Sequence, residues 1–323
     1  MKTPQFVQLH QPGDGRLASE AAQGLLARPA AVSPKFFYDA LGSRLFDAIT
    51  ELPSYYLTRT EAAVLAGHGA AMGEQVRRWL GQAPVMVELG AGSCEKASRL
   101  FPLLTPGAYV AVDISVDHLR GALACLQREH PQMDLLGLGM DFSAGFTLPP
   151  ELPGLGDGPR LVFYPGSSLG NFAPDAALQL LRDMRAAAQG GALLIGLDLV
   201  KPAAVLEAAY DDELGVTAAF NLNLLHHLNH LLGSNFRVPD WRHVAFFNAE
   251  ASRIEMHLEA RTDLVVCWPG GQRAFQAGER MHTENSYKWT LPALEALLRG
   301  AGFGEQLTWC DDNGWFAVCL ARA

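Results

Sequence analysis

Short apolar runs alternate with amphipathic stretches through the middle of the chain. PVMVELG (84–90), AYVAVDI (108–114), residues 133–142, RLVFYPG (160–166) and ALLIGLDL (192–199) read as five buried strands. Between them, residues 94–104, 116–129 and 174–189 read as helices, the last with Pro174 in its first turn, where a missing N–H costs least. This rhythm predicts βαβ units and a parallel sheet covered on both faces. Ahead of it, residues 34–56 carry a helical stripe of Phe37, Leu41, Leu45, Phe46 and Ile49, stopped at Pro53. Thr60 reads as the N-cap of a long helix reaching Leu80, with Glu61 in its first turn. The first 30 residues read as polar and irregular. After Leu199 the rhythm changes: residues 201–235 read as one continuous helix with the stripe LNLLHHLNHLL, and residues 241–268 as antiparallel strands with alternation in RIEMHLEAR. From Leu291 a helix returns, and GEQLTWC and WFAVCLA then flank Asp-Asp-Asn-Gly, a hairpin signal.

A five-strand α/β unit closed by a helix and a terminal hairpin is similar to the class I, S-adenosylmethionine-dependent methyltransferases. The fold expected is α/β: a Rossmann-like, doubly wound sheet with a second α+β substrate-binding domain, built from the N-terminal segment and an insertion. The methyltransferase domain is placed at residues 60–199 and 290–323, the substrate-binding domain at 1–59 and 200–289.

Composition narrows the function. The chain has 323 residues, 49% hydrophobic and 18% charged, which excludes disordered and fibrous classes. A net charge of −9 repels phosphate backbones, so no nucleic-acid partner is expected. Five cysteines without CxxC spacing argue against a disulfide framework or a zinc ribbon and for free thiols in a reducing compartment. No apolar stretch has the form of a signal peptide or the length of a membrane span, so a cytoplasmic protein without a membrane partner is expected.

Candidate chemistry gathers at strand ends. Val87-Glu88-Leu89-Gly90-Ala91-Gly92-Ser93 ends one strand and opens a helix, where glycines allow a tight turn and close approach to a ligand. Cys94 stands near where a third glycine would be, so the GxGxxG dinucleotide fingerprint is not met and a dinucleotide-dependent oxidoreductase is disfavoured. Asp113 ends the next strand, 23 residues after Gly90, near the spacing at which an acid binds ribose hydroxyls. Asp141 and Phe142 follow the third strand, an acid for an exocyclic amine and an aromatic for a purine face. Residues 166–172, GSSLGNF, follow the fourth, and Asn171 offers donor and acceptor to an amino acid's polar head. In MHTENSYK, Glu284 and Ser286 would face the same way on a strand. His226, His227 and His230 lie on a helical stripe without an acidic partner nearby and read as structural.

YDALGSRLFDAITELPSYYLTRTE, VELGAGSCEK, YVAVDIS, FYPGSSLGNF, AYDDELGVTAAFNLNLLHHLN and TENSYKW occur in that order. Together they resemble the L-histidine Nα-methyltransferases of ergothioneine biosynthesis, from about residue 34 to the C-terminus. The resemblance implies a bi-lobed enzyme that binds S-adenosylmethionine, releases S-adenosylhomocysteine, needs no metal and methylates histidine and its mono- and dimethylated forms; a monomer is expected. Position by position it implies Tyr38, Gly90, Lys96, Asp113, Asp141 and Phe142 as cofactor contacts. It implies Tyr55, Gly166, Asn171, Tyr210, Met256, Glu284 and Ser286 as the histidine site. In that set Asn171 and Tyr210 hold the carboxylate and orient the α-amine, while Glu284 and Ser286 read the imidazole beside Met256. Cys94 departs from the glycine loop and is read as a packing position. A methyltransferase of the same fold acting on another amine, such as an indole, is the rival; Glu284 argues against it, because an indole offers one donor where imidazole offers two nitrogens.

Overall fold

The computed structural model describes residues 2–9, 14–149, 152 and 158–323. In chain order its elements are β1 (Gln5–Gln8), α1 (Asp14–Leu26), β2 (Ala30–Ala31), α2 (Ala40–Thr50), α3 (Tyr56–Leu80) and β3 (Val85–Leu89). There follow α4 (Glu95–Leu104), β4 (Ala108–Asp113), α5 (Val116–Glu129), β5 (Asp134–Gly139), β6 (Arg160–Tyr164), α6 (Pro174–Ala188) and β7 (Ala192–Asp198). Next are α7 (Ala203–Tyr210), α8 (Val216–Leu232), β8 (Trp241–Asn248), β9 (Arg253–Ala260), β10 (Leu264–Trp268) and β11 (Gly271–Phe275). The chain closes with β12 (Arg280–Tyr287), α9 (Leu291–Gly300), β13 (Gln306–Cys310) and β14 (Phe316–Arg322). Chain contacts divide it into one unit of Met1–Gln11, Leu57–Val200 and Lys288–Ala323, and a second of Pro12–Tyr56 and Lys201–Tyr287.

The first unit is built on an eight-stranded sheet in the order β1-β5-β4-β3-β6-β7-β14-β13. Strands β1 and β3 to β7 run parallel, and β14 runs against β7 and β13. Strands β6 and β7 are buried along their whole length, as expected where helices cover both faces. Val64, Leu65 and Met72 of α3, Leu100 and Phe101 of α4 and Leu119 and Leu123 of α5 pack into one core, with Met86, Tyr109 and Phe163 from the strands. Leu180, Leu181 and Met184 of α6 and Leu294 and Leu298 of α9 pack into the other, with Val87, Val112 and Val162. Strand succession runs outward through β4 and β5 on one side of β3 and through β6 and β7 on the other, so the order reverses between β3 and β6. Ligands of open α/β sheets bind at the carboxyl ends beside such a reversal.

The second unit packs α7 and α8 against a sheet in the order β2-β12-β9-β8. Ile254, Met256, Leu258 and Ala260 of β9 are buried. Arg253, Glu255, His257 and Glu259 alternate with them on the opposite face; Glu259 pairs across strands with Arg242 and Arg280 and Glu255 with Asn248, while Arg253 and His257 meet Glu255 along β9 itself. Asp39 caps α2 by accepting from the Gly42 N–H at 2.7 Å, and the same Oδ1 accepts from the Asn223 amide at 2.8 Å.

Four expectations need correcting. The first 30 residues contain β1 and α1, with residues 10–13 outside those described, and β1 pairs with β5 in the first unit instead of joining the rest of 1–59 in the second. Residues 34–56 are a short 3-10 turn (Pro34–Phe37) followed by α2, because the Asp39 cap restarts the helix. Helix α3 starts at Tyr56, four residues before Thr60. Residues 201–235 are two helices: Gly215 turns left-handed at φ 72°, and the Asp212 carboxylate caps α8 by accepting from Val216 and Thr217 N–H at 3.0 and 2.7 Å. No helix among the described residues is long and apolar enough to cross a membrane, and all five cysteines are free.

Candidate active site

The carboxyl ends of β3, β4, β5 and β6 lie side by side in the first unit and carry the candidate cofactor residues. Gly90 and Gly92 adopt φ of 68° and 50°, left-handed values that a side chain resists. Asp113, at the end of β4, accepts from the Gly92 N–H at 2.9 Å through Oδ2 and from the Ser115 N–H at 2.8 Å through Oδ1. Desolvation pushes its carboxyl above the usual range, opposed by those two N–H groups. Asp141 accepts from Ser143 N–H at 2.9 Å and from its hydroxyl at 2.5 Å, which fixes the turn bearing Phe142. A Cβ built on Gly90 would lie 3.9 Å from the Phe142 ring, and one on Gly92 meets nothing within 4 Å, so the turn leaves open space. Phe142 also meets Tyr164 edge-on at 6.1 Å, and the Tyr164 hydroxyl is buried with no hydrogen-bond partner among the described residues. An acid on a glycine turn, a second acid with an aromatic, and open space over the turn fit a purine nucleoside.

Under the glycine turn lies a buried polar set that sequence patterning did not single out. Tyr109 donates its hydroxyl to Glu88, a residue 1% exposed near the end of β3. Burial pushes the Glu88 carboxyl up to about 8, against the opposing hydrogen bond from Tyr109. Cys94 is buried with a left-handed φ of 61°, and burial pushes its thiol up to about 12. It therefore stays a protonated packing group and not a nucleophile.

Lys96 and Gly166 meet at one carboxylate. Glu61, 2% exposed, accepts from the Lys96 ammonium at 2.7 Å and from the Gly166 N–H at 2.7 Å. Beyond Gly166, the Ser167 hydroxyl accepts from the Asp198 N–H at 2.9 Å, and the buried Asp198 carboxylate pairs with Lys288 at 2.9 Å. These contacts anchor the turn Ser168–Asn171, whose last residue is half-buried. Sequence reasoning put Glu61 only in a helix's first turn. The signal it passed over is spacing: residues 61, 64 and 65 share one helical face, and Val64 and Leu65 are buried.

The second unit collects the rest. Tyr38 meets Phe46 and Phe220 edge-on at 5.8 Å each, and Tyr55 meets Phe46 at 6.3 Å and Tyr210 at 6.2 Å. The Tyr210 hydroxyl shares a 2.7 Å hydrogen bond with Ser286. Glu284 pairs across the sheet with Met256, and Ser286 with Ile254. The register shifts between His282 and Glu284, so Thr283 is one extra residue in β12. Regular pairing through residues 282–284 would put His282 and Glu284 on one face; with the bulge, His282 lies opposite His257 while Glu284 lies opposite Met256. His243, also unforeseen, holds the end of α7. Its Nε2–H donates to the Tyr210 carbonyl at 2.8 Å and its Nδ1 accepts from the Asn221 amide at 2.8 Å. Burial lowers its pKa, which favours the neutral ring, and those two hydrogen bonds fix its tautomer. His227 bonds the Phe36 carbonyl at 2.6 Å, and no three metal-ligating side chains gather among the described residues.

The reversed terminal strand β14, the parallel doubly wound sheet and the glycine turn with Asp113 beside the order reversal define a class I, Rossmann-like methyltransferase. Residues 17–323 match the model of the family described as "Histidine-specific methyltransferase, SAM-dependent", and the chain belongs to that family. It is 38% identical over 312 residues to the histidine N-alpha-methyltransferase of Mycolicibacterium smegmatis, covering 94% of each chain. It is 37% identical to the protein of the same name from Mycobacterium tuberculosis, again over 94% of each. Ergothioneine biosynthesis protein 1 of Neurospora crassa is 27% identical over 91% of this chain and 33% of that protein. Solved structures with a likeness include the PH0226 protein from Pyrococcus horikoshii OT3, 12% identical with a TM-score of 0.47, over 88% of this chain and 99% of that one. The CcbJ methyltransferase from Streptomyces caelestis is 15% identical with a TM-score of 0.44, over 79% and 89%.

Proposed function

We propose that this enzyme methylates the α-amine of L-histidine with S-adenosylmethionine, in three successive transfers that give the trimethylated betaine hercynine, a step of ergothioneine biosynthesis. The observation that carries the histidine assignment is the buried pair Glu284 and Ser286 on one face of β12, with the Tyr210 hydroxyl on Ser286. Neutral imidazole carries one N–H donor and one acceptor nitrogen. Glu284 accepts the ring N–H, Ser286 serves the other nitrogen, and Met256 supplies an apolar flank. Asn171 and Tyr210 hold the carboxylate and orient the amine, Tyr55 lines the ring side, and Gly166 admits close approach.

For the cofactor, Asp113 receives the ribose hydroxyls, Asp141 an exocyclic amine and Phe142 the purine face. Gly90 opens the turn, Lys96 offers cationic donors to the amino-acid carboxylate, and Tyr38 completes the set. When bound, S-adenosylmethionine supplies an electrophilic methyl on a sulfonium. The chain's part is to orient the amine and exclude water. Fixing both reactants removes translational freedom from the barrier. Desolvation disfavours the ammonium form, and one proton must leave the nitrogen before each transfer. Incubation with S-adenosylmethionine and an equimolar panel of histidine, tryptophan, phenylalanine and leucine, read by mass spectrometry, tests the reading. Histidine should appear with one, two and then three methyl groups; preferential methylation of another amino acid contradicts it.

A further inference from the structure

Glu61 has no part in the proposed contacts, yet four elements converge on its carboxylate. It projects from α3, receives Lys96 of α4 on Oε2 and the Gly166 N–H after β6 on Oε1. On the fourth side is Gly196 in β7: a Cβ there would stand 2.1 Å from Glu61 Oε1. Glycine weakens a strand interior and marks a close approach, and here the approach is that of a charged group. A carboxylate 2% exposed is costly unless each oxygen is paired, and both oxygens are.

The arrangement constrains two ligand contacts at once. Lys96 has three N–H donors and Glu61 takes one, while its side chain stays 35% exposed and keeps the others for an anion. Its ammonium lies 3.1 Å from where a Cβ of Gly166 would be, so the lysine head and the glycine backbone are held adjacent. Freed from Glu61, the lysine stem would regain rotamer freedom that binding must then remove.

We infer that Glu61 is a positioning residue for methyl transfer, setting the Lys96 ammonium and the Gly166 turn as one unit. The inference rests on the reading of Lys96 as a cofactor contact and adds the group that aims it. Glu61→Gln keeps the shape and can still accept from Gly166, but presents an NH2 to the ammonium. Its affinity for S-adenosylhomocysteine, measured by calorimetry without histidine on protein shown folded by thermal unfolding, should fall about 10-fold. In a Lys96→Met background the same substitution should change affinity less than about twofold, because the two residues act as one. Glu61→Asp, which keeps the charge but shortens the reach, should also lose affinity and decides the matter if the glutamine variant does not fold. Wild-type affinity in either Glu61 variant, or losses that multiply with Lys96→Met, overturns the positioning role. A wild-type chain that binds no S-adenosylhomocysteine would instead contradict the proposed function.

Discussion

The Thr283 hydroxyl donates to the Met256 carbonyl at 3.0 Å, at the bulge that separates His282 from Glu284. That bond ties the extra residue of β12 to the strand carrying the proposed apolar flank of the imidazole. Deleting Thr283 restores regular pairing and leaves Glu284 opposite Met256 and Ser286 opposite Ile254. A folded deletion variant should therefore still bind histidine and S-adenosylhomocysteine, as calorimetry with each ligand would show. The milder Thr283→Val should cost about 1 kcal/mol of stability. A folded deletion variant that loses histidine binding but keeps S-adenosylhomocysteine binding contradicts the register assigned to Glu284.

Tyr210→Phe removes a hydrogen-bond partner of the Ser286 hydroxyl and keeps the ring packing. Histidine affinity should drop about 3- to 10-fold, the worth of one neutral hydrogen bond, with cofactor affinity unchanged. Equal weakening of both ligands would mean that the end of α7 has moved, and would remove Tyr210 from the histidine site.

Asp113→Ala deletes a carboxylate that orders the glycine turn through Gly92 and is assigned the ribose hydroxyls. The loss of S-adenosylhomocysteine binding should be about 1.5–3 kcal/mol. Unchanged affinity in a folded variant places the ribose elsewhere.

Much of this was legible in the sequence, for identifiable reasons. Five apolar runs separated by amphipathic stretches announce the parallel sheet, since strands buried on both faces must be apolar throughout. Asp113, Asp141 and Asn171 stand just past those runs, where chain polarity alone places them at the carboxyl edge. The two helices in residues 201–235 were hidden because the stripe LNLLHHLN begins soon after Tyr210 and masks the Asp212 cap. Strand β1 is four residues long and half polar, too short for alternation to show. The bulge at Thr283 leaves no mark in composition. Glu61 and Glu88 are acids within buried faces, and their partners are distant in the chain: Lys96 lies 35 residues from Glu61, and Tyr109 lies 21 from Glu88.

Glu88 makes stability fall as pH rises. Its pKa is about 8 in the folded chain against an ordinary value of 4.5, so the folded state binds more protons between those limits. Its contribution is fully present below about 4.5 and is lost as pH rises through about 8. Glu88→Gln keeps an acceptor for Tyr109 and cannot ionise. Between pH 6 and pH 9 the wild type should lose more melting temperature than the variant, on the order of a few kcal/mol in stability. Parallel melting curves across that range would contradict a protonated Glu88.

In the proposed function, Glu284 reads the imidazole. A site built to pair polar ring atoms rejects ligands that leave its buried groups unsatisfied. The direct measurement is kcat/KM for histidine, tryptophan and phenylalanine in the wild type and in Glu284→Ala. Wild type should favour histidine strongly, and the variant should lose about 1.5–3 kcal/mol, roughly 10- to 150-fold, on histidine while its discrimination against tryptophan and phenylalanine narrows. Wild-type histidine efficiency in the folded variant would contradict that role of Glu284.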